Sequence, residues 1–99
     1  MAYATTDKLI AIAGAVAGTG APTIWYHESA DALAAVNTSG FITDGGSKGV
    51  RVGDYVIHRD TTAITSDTSM HKVQTVSSTA PGAVDLSDGT VICAGANAD

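Results

Sequence analysis

The 99-residue chain has little of what usually reinforces a small domain. It contains one cysteine, Cys93, one tryptophan and one phenylalanine. A single cysteine excludes an intrachain disulfide, and no cysteine–histidine cluster has the spacing of a structural zinc site. Much of the 44% hydrophobic fraction is alanine, which buries little apolar area at about 25 cal/mol per Å². Because thin cores are commonly reinforced by disulfides, metals or oligomerisation, we expect oligomerisation or docking on a larger body.

Positive charge is also scarce. Five Lys and Arg residues face ten Asp and Glu residues, for a net charge of −5, and the basic residues form no run. Nucleic-acid binding requires a basic footprint, and anionic membranes attract polybasic segments. We therefore expect neither as a partner. The apolar run at residues 9–18 is about half the length of a membrane span, and its flank lacks the positive charge of a signal peptide.

Short β-prone segments separated by turn residues dominate the chain after Pro22. They are residues 23–28, 50–60, 70–77, 83–86 and 90–93. This spacing predicts a mainly β fold, a small antiparallel barrel or sandwich. Residues 30–37, preceded by Ser29 as a plausible N-cap, predict one short helix, and the glycine-rich residues 41–49 predict a loop. We expect residues 22–99 to form a single small domain.

Residues 1–21 combine small apolar residues with glycines. Each glycine weakens a helix by about 1 kcal/mol, so we favour an extended N-terminal arm or edge strand over a helix at residues 7–17. The apolar side chains of Leu9, Ile10 and Ile12 make this arm a candidate for strand addition to a neighbouring sheet.

No group of residues has the pattern of an active site. His27, His58 and His71 each fall in a predicted strand, and we expect them on strand faces or at the surface. A three-histidine zinc site remains an alternative if the strands bring them together. Residues 43–49 (TDGGSKG) lack the order of a phosphate-binding loop, and no G-x-S-x-G or S-x-x-K motif is present. We therefore expect no catalytic residue, no metal and no cofactor.

Two segments carry a resemblance to a known family. They are T-I-W-Y-H-E-S-A-D-A at residues 23–32 and F-I-T-D-G-G-S-K-G-V-R-V-G-D-Y-V-I at residues 41–57. Over residues 1–60 the chain resembles short virion structural proteins of tailed phages and gene transfer agents of proteobacteria. Relatives there have W-x-Y-x-S-x-D, Y/F-[FI]-T/S-D-G and G-[ML]-[KR]-V-G-D patterns. Val50 departs from this pattern, because a longer aliphatic residue is usual at its position.

The resemblance implies a non-enzymatic virion protein: a capsid decoration or cement protein, or a head-fibre base. Such proteins are commonly trimers, made in the bacterial host cytoplasm and located on the capsid surface, with the major capsid protein or other virion proteins as partners. A tail, neck or fibre-adapter protein is an alternative within the same class. A small receptor- or glycan-binding β module is an alternative from a different class, with Trp25, Tyr26 and Tyr55 as its candidate residues.

An interface role is expected for the apolar arm and for aromatic side chains, which are enriched in binding hot spots. The candidates are Tyr3, Leu9, Ile10, Ile12, Trp25, Tyr26 and Tyr55. Trp25 has an alternative place in the core of the domain. Cys93 is expected to be a small buried residue, with a cross-chain disulfide as the alternative if its strand lies at an interface.

Overall fold

The protein is mainly β, as predicted from the sequence. The computed structural model describes residue 3 and residues 8–13, 22–31, 33–38, 40–62 and 67–93. Its elements are β1 (Lys8–Ala13), β2 (Ile24–Ser29), α1 (Leu33–Val36), α2 (Gly45–Lys48), β3 (Tyr55–Asp60), β4 (Thr68–Val76), β5 (Val84–Leu86) and β6 (Thr90–Cys93). The six strands form one sheet that does not close into a barrel.

The sheet is mixed. Strands follow the order β1-β2-β3-β4, and both β5 and β6 pair with β4. Every pair is antiparallel except β2 and β3, which run parallel. Parallel neighbours need a long crossover, and here α1 and α2 lie within that crossover. The sheet is therefore not wholly antiparallel, because a helical segment separates the two central strands.

The N-terminal segment that the structure describes is part of the sheet. Strand β1 pairs antiparallel with β2 from Lys8 opposite Glu28 to Ala13 opposite Ile24, with a bulge between Ala11 and Ala13. Leu9 is buried in the core. Residues 8–13 are thus an edge strand rather than a separate arm or a helix. The other residues of 1–21, apart from Tyr3, lie outside the described residues.

Alternation along the strands gives the sheet one buried face. In β2, Trp25 and His27 are buried while their neighbours are partly exposed, as the period of two in a half-buried strand requires. The buried apolar cluster on this side comprises Leu9, Trp25, Val36, Ile42, Val50, Val56, Val73, Val84 and Leu86. Tyr3, Phe41 and Val76 pack against it. Long aliphatic side chains are few, so valine fills most of the core.

The segment predicted as a loop contains α2. This helix ends at Gly49, whose φ of 100° is the left-handed conformation that glycine adopts without strain. Gly46 donates its backbone N–H to the carbonyl of Gly82 at 2.9 Å. A Cβ on Gly82 would lie 2.6 Å from the Cα of Gly46, so the close packing of α2 on this turn requires glycine.

The exposed sheet face and the buried histidines

The face of the sheet opposite the core carries a continuous apolar row. Ile10 lies opposite Tyr26 and Tyr26 opposite Ile57. Ile57 lies opposite Met70, and Met70 opposite Thr90. We call the side chains on this side of β1–β4 and β6 the outer face. It comprises Lys8, Ile10, Ile24, Tyr26, Glu28, Tyr55, Ile57, Arg59, Thr68, Met70, Lys72 and Thr90.

Two large apolar side chains of the outer face are open to solvent, and the others are partly buried. Ile10 is 53% exposed and Tyr55 is 37% exposed, while Tyr26 and Ile57 are partly buried by their neighbours. Ile12, beside the bulge in β1, is also exposed. Single exposed apolar residues are ordinary, but contiguous apolar patches mark interaction surfaces. The outer face is such a patch.

A charged row lies beside the apolar row. Glu28 contacts Lys8 at 3.0 Å and Arg59 at 3.2 Å. Its side chain is 15% exposed, whereas those of Lys8 and Arg59 are 71% and 55% exposed. The hydrogen bond from Lys8 and the charges of Lys8 and Arg59 lower the pKa of Glu28. The carboxylate therefore stays ionised beneath two cations that reach further into solvent.

The predicted interface residues divide between the two faces. Ile10, Tyr26 and Tyr55 lie on the outer face, and Ile12 is exposed beside it. Leu9 and Trp25 are buried in the core. Alternation along β1 and β2 turns these two side chains inward, and Trp25 occupies the place in the core that was its alternative.

Tyr3 is partly buried and bonded within the chain. Its hydroxyl donates to Asp44 Oδ1 at 2.5 Å and accepts from Lys48 Nζ at 3.0 Å. Its ring packs on His27 and Phe41. These contacts attach Tyr3 to β2 and to the crossover segment.

Cys93 is exposed. It lies in β6, opposite Thr68 at the end of the charged row. The expectation that this cysteine is a buried apolar residue is wrong, because β6 is an outermost strand whose four residues are all exposed.

The core face contains a row of polar side chains that was not expected to be buried. The three histidines are fully enclosed, as is Ser69. His27 lies opposite His58, and His58 opposite Ser69. Their place on strand faces was predicted. Burial was not, because the short β patterns give no sign of which face the crossover covers.

Hydrogen bonds define the tautomers of the first two histidines. His58 Nε2 lies 2.7 Å from the carbonyl oxygen of Asp31. Since a carbonyl only accepts, His58 donates from Nε2, and in this tautomer of an uncharged ring Nδ1 is the acceptor. His27 Nδ1, 2.9 Å away, is therefore the donor to His58 Nδ1. This chain of bonds attaches the start of the crossover to the two central strands.

His71 has a second set of partners. Its Nδ1 donates to the carbonyl oxygen of Ser87 at 3.0 Å, and its Nε2 accepts from Ser69 Oγ at 2.9 Å. Burial lowers the pKa of His71, with the Ser87 carbonyl and Asp88 acting in the opposite direction. A Cβ on Gly89 would overlap the imidazole, so glycine makes room for the ring where the chain passes from β5 to β6.

The serine–histidine contact has no access for a substrate. Ser69 and His71 are each 1% exposed, and a nucleophile must reach the atom it attacks. Among the described residues, no group of three or more His, Cys, Asp or Glu side chains is placed to hold a metal ion. The polar row is best understood as a structural network within the core.

Trp25 and Asp54 form a further buried polar contact. Asp54 Oδ2 accepts from the indole nitrogen of Trp25 and from the backbone of Arg51, each at 3.0 Å. Its Oδ1 accepts from the backbone of Thr23 at 2.9 Å. Asp54 thereby links the start of β2 to the turn before β3, and it gives the V-G-D part of the sequence pattern a structural role.

Comparisons with protein-family models, curated proteins and solved structures find no match to this chain. In the part of the chain that the structure describes, no helix has the length and apolar character needed to cross a membrane.

Proposed function

We propose that this chain is a non-enzymatic structural protein of a phage-like particle, which docks on other virion proteins through the outer face of its sheet. Within that class we propose a capsid decoration or cement protein, or a head-fibre base, located on the capsid surface. Its partner is then the major capsid protein or another virion protein. The proposal also includes self-association, with a trimer favoured.

The observation that carries the proposal is the apolar row from Ile10 to Met70. In a sheet with one solvated face, that face normally carries polar side chains. Here half of the twelve outer-face positions are isoleucine, tyrosine or methionine, and they include the four aligned residues Ile10, Tyr26, Ile57 and Met70. Burying such side chains on a partner contributes about 25 cal/mol per Å² of apolar surface, so the outer face is suited to association.

The specific class comes from the sequence motifs at residues 23–32 and 41–57, which resemble those of virion proteins. The structure gives these motifs physical roles that a rigid building block needs. Asp54 accepts three hydrogen bonds, and Gly49 ends α2. These contacts stabilise the crossover on the core side of the sheet.

The arrangement of aromatic residues favours this proposal over a glycan-binding module. A sugar site needs aromatic and polar groups that converge on a concave surface. Trp25 lies on the core face, whereas Tyr26 and Tyr55 lie on the outer face. The three candidates therefore do not form one site.

Copy number in purified particles tests the class of function. A decoration protein predicts a band approaching the intensity of the major capsid protein on a denaturing gel. A few copies per particle would instead fit the tail, neck or fibre-adapter alternative, and absence from particles would contradict the proposal.

A pair of exposed apolar substitutions tests the docking face. Ile10→Asp places a charge within the apolar row and is expected to reduce incorporation into particles by about tenfold or more, equivalent to about 1.4 kcal/mol. Val52→Asp is the matched control, because Val52 is 64% exposed but lies in the turn before β3. Normal incorporation of both variants, each folded by circular dichroism, would exclude the outer face.

A further inference from the structure

We infer that the surface which covers the outer face is a protein surface whose apolar centre is bordered by carboxylates. This inference rests on the proposed function and adds the chemistry of the partner. It depends on how the few cations of an acidic chain are distributed over the sheet.

Three of the five basic residues, Lys8, Arg59 and Lys72, belong to the outer face, together with one of the ten acidic residues, Glu28. The outer face thus has a net charge of +2. Since the whole chain has −5, the remaining residues have −7. Asp85, on β5 between the buried Val84 and Leu86, lies on the same side of the sheet past the bulge in β4, so the net charge of that side is +1 when Asp85 is included.

Lys8 and Arg59 extend further into solvent than the Glu28 carboxylate that they contact. One carboxylate also neutralises only one of the two charges. An approaching surface therefore meets ammonium and guanidinium groups beside the Ile10–Met70 row, with Lys72 at the other side of that row.

Charge complementarity would give this docking its orientation. Positive groups beside an apolar strip favour a partner with carboxylates around an apolar patch, because complementary charges speed association and fix register. The negative remainder of the chain repels the same partner, so the molecule approaches with its outer face forward. Burial of the apolar row would also reduce the solvent screening of the flanking charge pairs.

A protein partner is favoured over the two other occupants. The outer face of a second copy has the same positive charge, so the symmetric pairing of two outer faces is disfavoured. An anionic membrane attracts runs of cations, whereas these three are separated on different strands of a chain with net charge −5.

The test uses particles assembled without this chain, to which the purified full-length protein is added. Lys72→Glu and Arg59→Gln are expected to weaken binding by about tenfold or more at low salt, and wild-type binding should weaken as salt rises. Arg51→Glu is the control, because it changes charge at an exposed position in the turn outside the outer face.

The outcomes separate this inference from the proposed function. Suppose that wild type binds particles, that Ile10→Asp does not, and that Lys72→Glu, Arg59→Gln and added salt have no effect. Docking through the outer face is then supported, and the inference that the partner surface carries carboxylates is overturned. If wild type does not bind particles, both are overturned.

Two further readouts identify a different occupant. The first readout is binding to vesicles that contain phosphatidylglycerol in phosphatidylcholine. If the protein binds them, requires Lys72 to do so, and does not bind phosphatidylcholine alone, the occupant is a membrane and the inference of a protein partner is overturned. Loss of self-association in Lys72→Glu by analytical ultracentrifugation would identify a second copy as the occupant. The inference requires both readouts to be negative.

Discussion

The Nδ1 atoms of His27 and His58 lie 2.9 Å apart on two parallel strands, and between uncharged rings His27 is the donor. The direction follows from the Asp31 carbonyl, which accepts from the other nitrogen of His58. Buried polar groups are costly unless they are hydrogen-bonded. This pair therefore specifies how the crossover begins and how the two central strands align.

Replacing His58 with phenylalanine should destabilise the domain. The substitution retains an aromatic ring but removes the acceptor for His27 and the donor for Asp31. We expect a loss of about 1–3 kcal/mol for each buried group that loses its partner, measured by chemical denaturation. Arg59→Lys, at the next and exposed position, should stay within about 0.5 kcal/mol of wild type. Equal stability of both variants would show that the pair contributes nothing.

Stability should fall as the solution becomes acidic. The folded-state pKa of His71 lies below the ordinary value of 6.5, so the unfolded chain binds a proton that the folded chain resists. Above about pH 6.5 both states are neutral at this site; as pH falls toward the folded pKa, stability is lost by up to about 1.4 kcal/mol per pH unit. Denaturation at several pH values measures this slope. His71→Gln should reduce it, and an unchanged slope in that variant would contradict the assignment.

Gly89→Ala should be destabilising because of His71. The added methyl group would overlap the imidazole, and we expect a cost of about 1–3 kcal/mol from overpacking. In a His71→Ala background the same substitution should cost much less, since the obstructing ring is gone. A double-mutant cycle measures the difference. If Gly89→Ala has the same cost in both backgrounds, the contact is not its cause.

Asp54→Ala should weaken the attachment of Trp25. The substitution removes the acceptor of three hydrogen bonds, and an unmet buried donor costs about 1–3 kcal/mol. We expect a lower denaturation midpoint and greater exposure of the indole, which tryptophan fluorescence detects. Asp85→Ala, on β5 with a partly exposed side chain, is the control. Similar losses from both substitutions would contradict a specific role for Asp54.

Local patterns predicted the strands better than their arrangement. The alternation of Trp25 and His27 with partly exposed neighbours, and the strand at residues 90–93, follow from β propensity and turn residues. The parallel pairing of β2 with β3 depends on where the crossover packs, which no local pattern encodes. α2 was missed because two of its four residues are glycine, and its stability comes from contact with the turn at Gly82.

The candidate site was predicted in part. Ile10, Tyr26 and Tyr55 were identified as interface residues from their size and apolar character, and all three lie on the outer face. Leu9 and Trp25 met the same criteria yet face inward. Strand alternation separates Trp25 from Tyr26, but only the packing of the crossover, with Val36, Ile42 and Val50 in the core, reveals which of the two faces is covered.

A density map of the intact particle tests the central proposal most directly. We predict that this chain is present on the particle with its outer face against a virion protein, and that carboxylates of that protein lie near Lys8, Arg59 and Lys72. A map in which the chain is bound through another surface, with the Ile10–Met70 row open to solvent, would contradict the account.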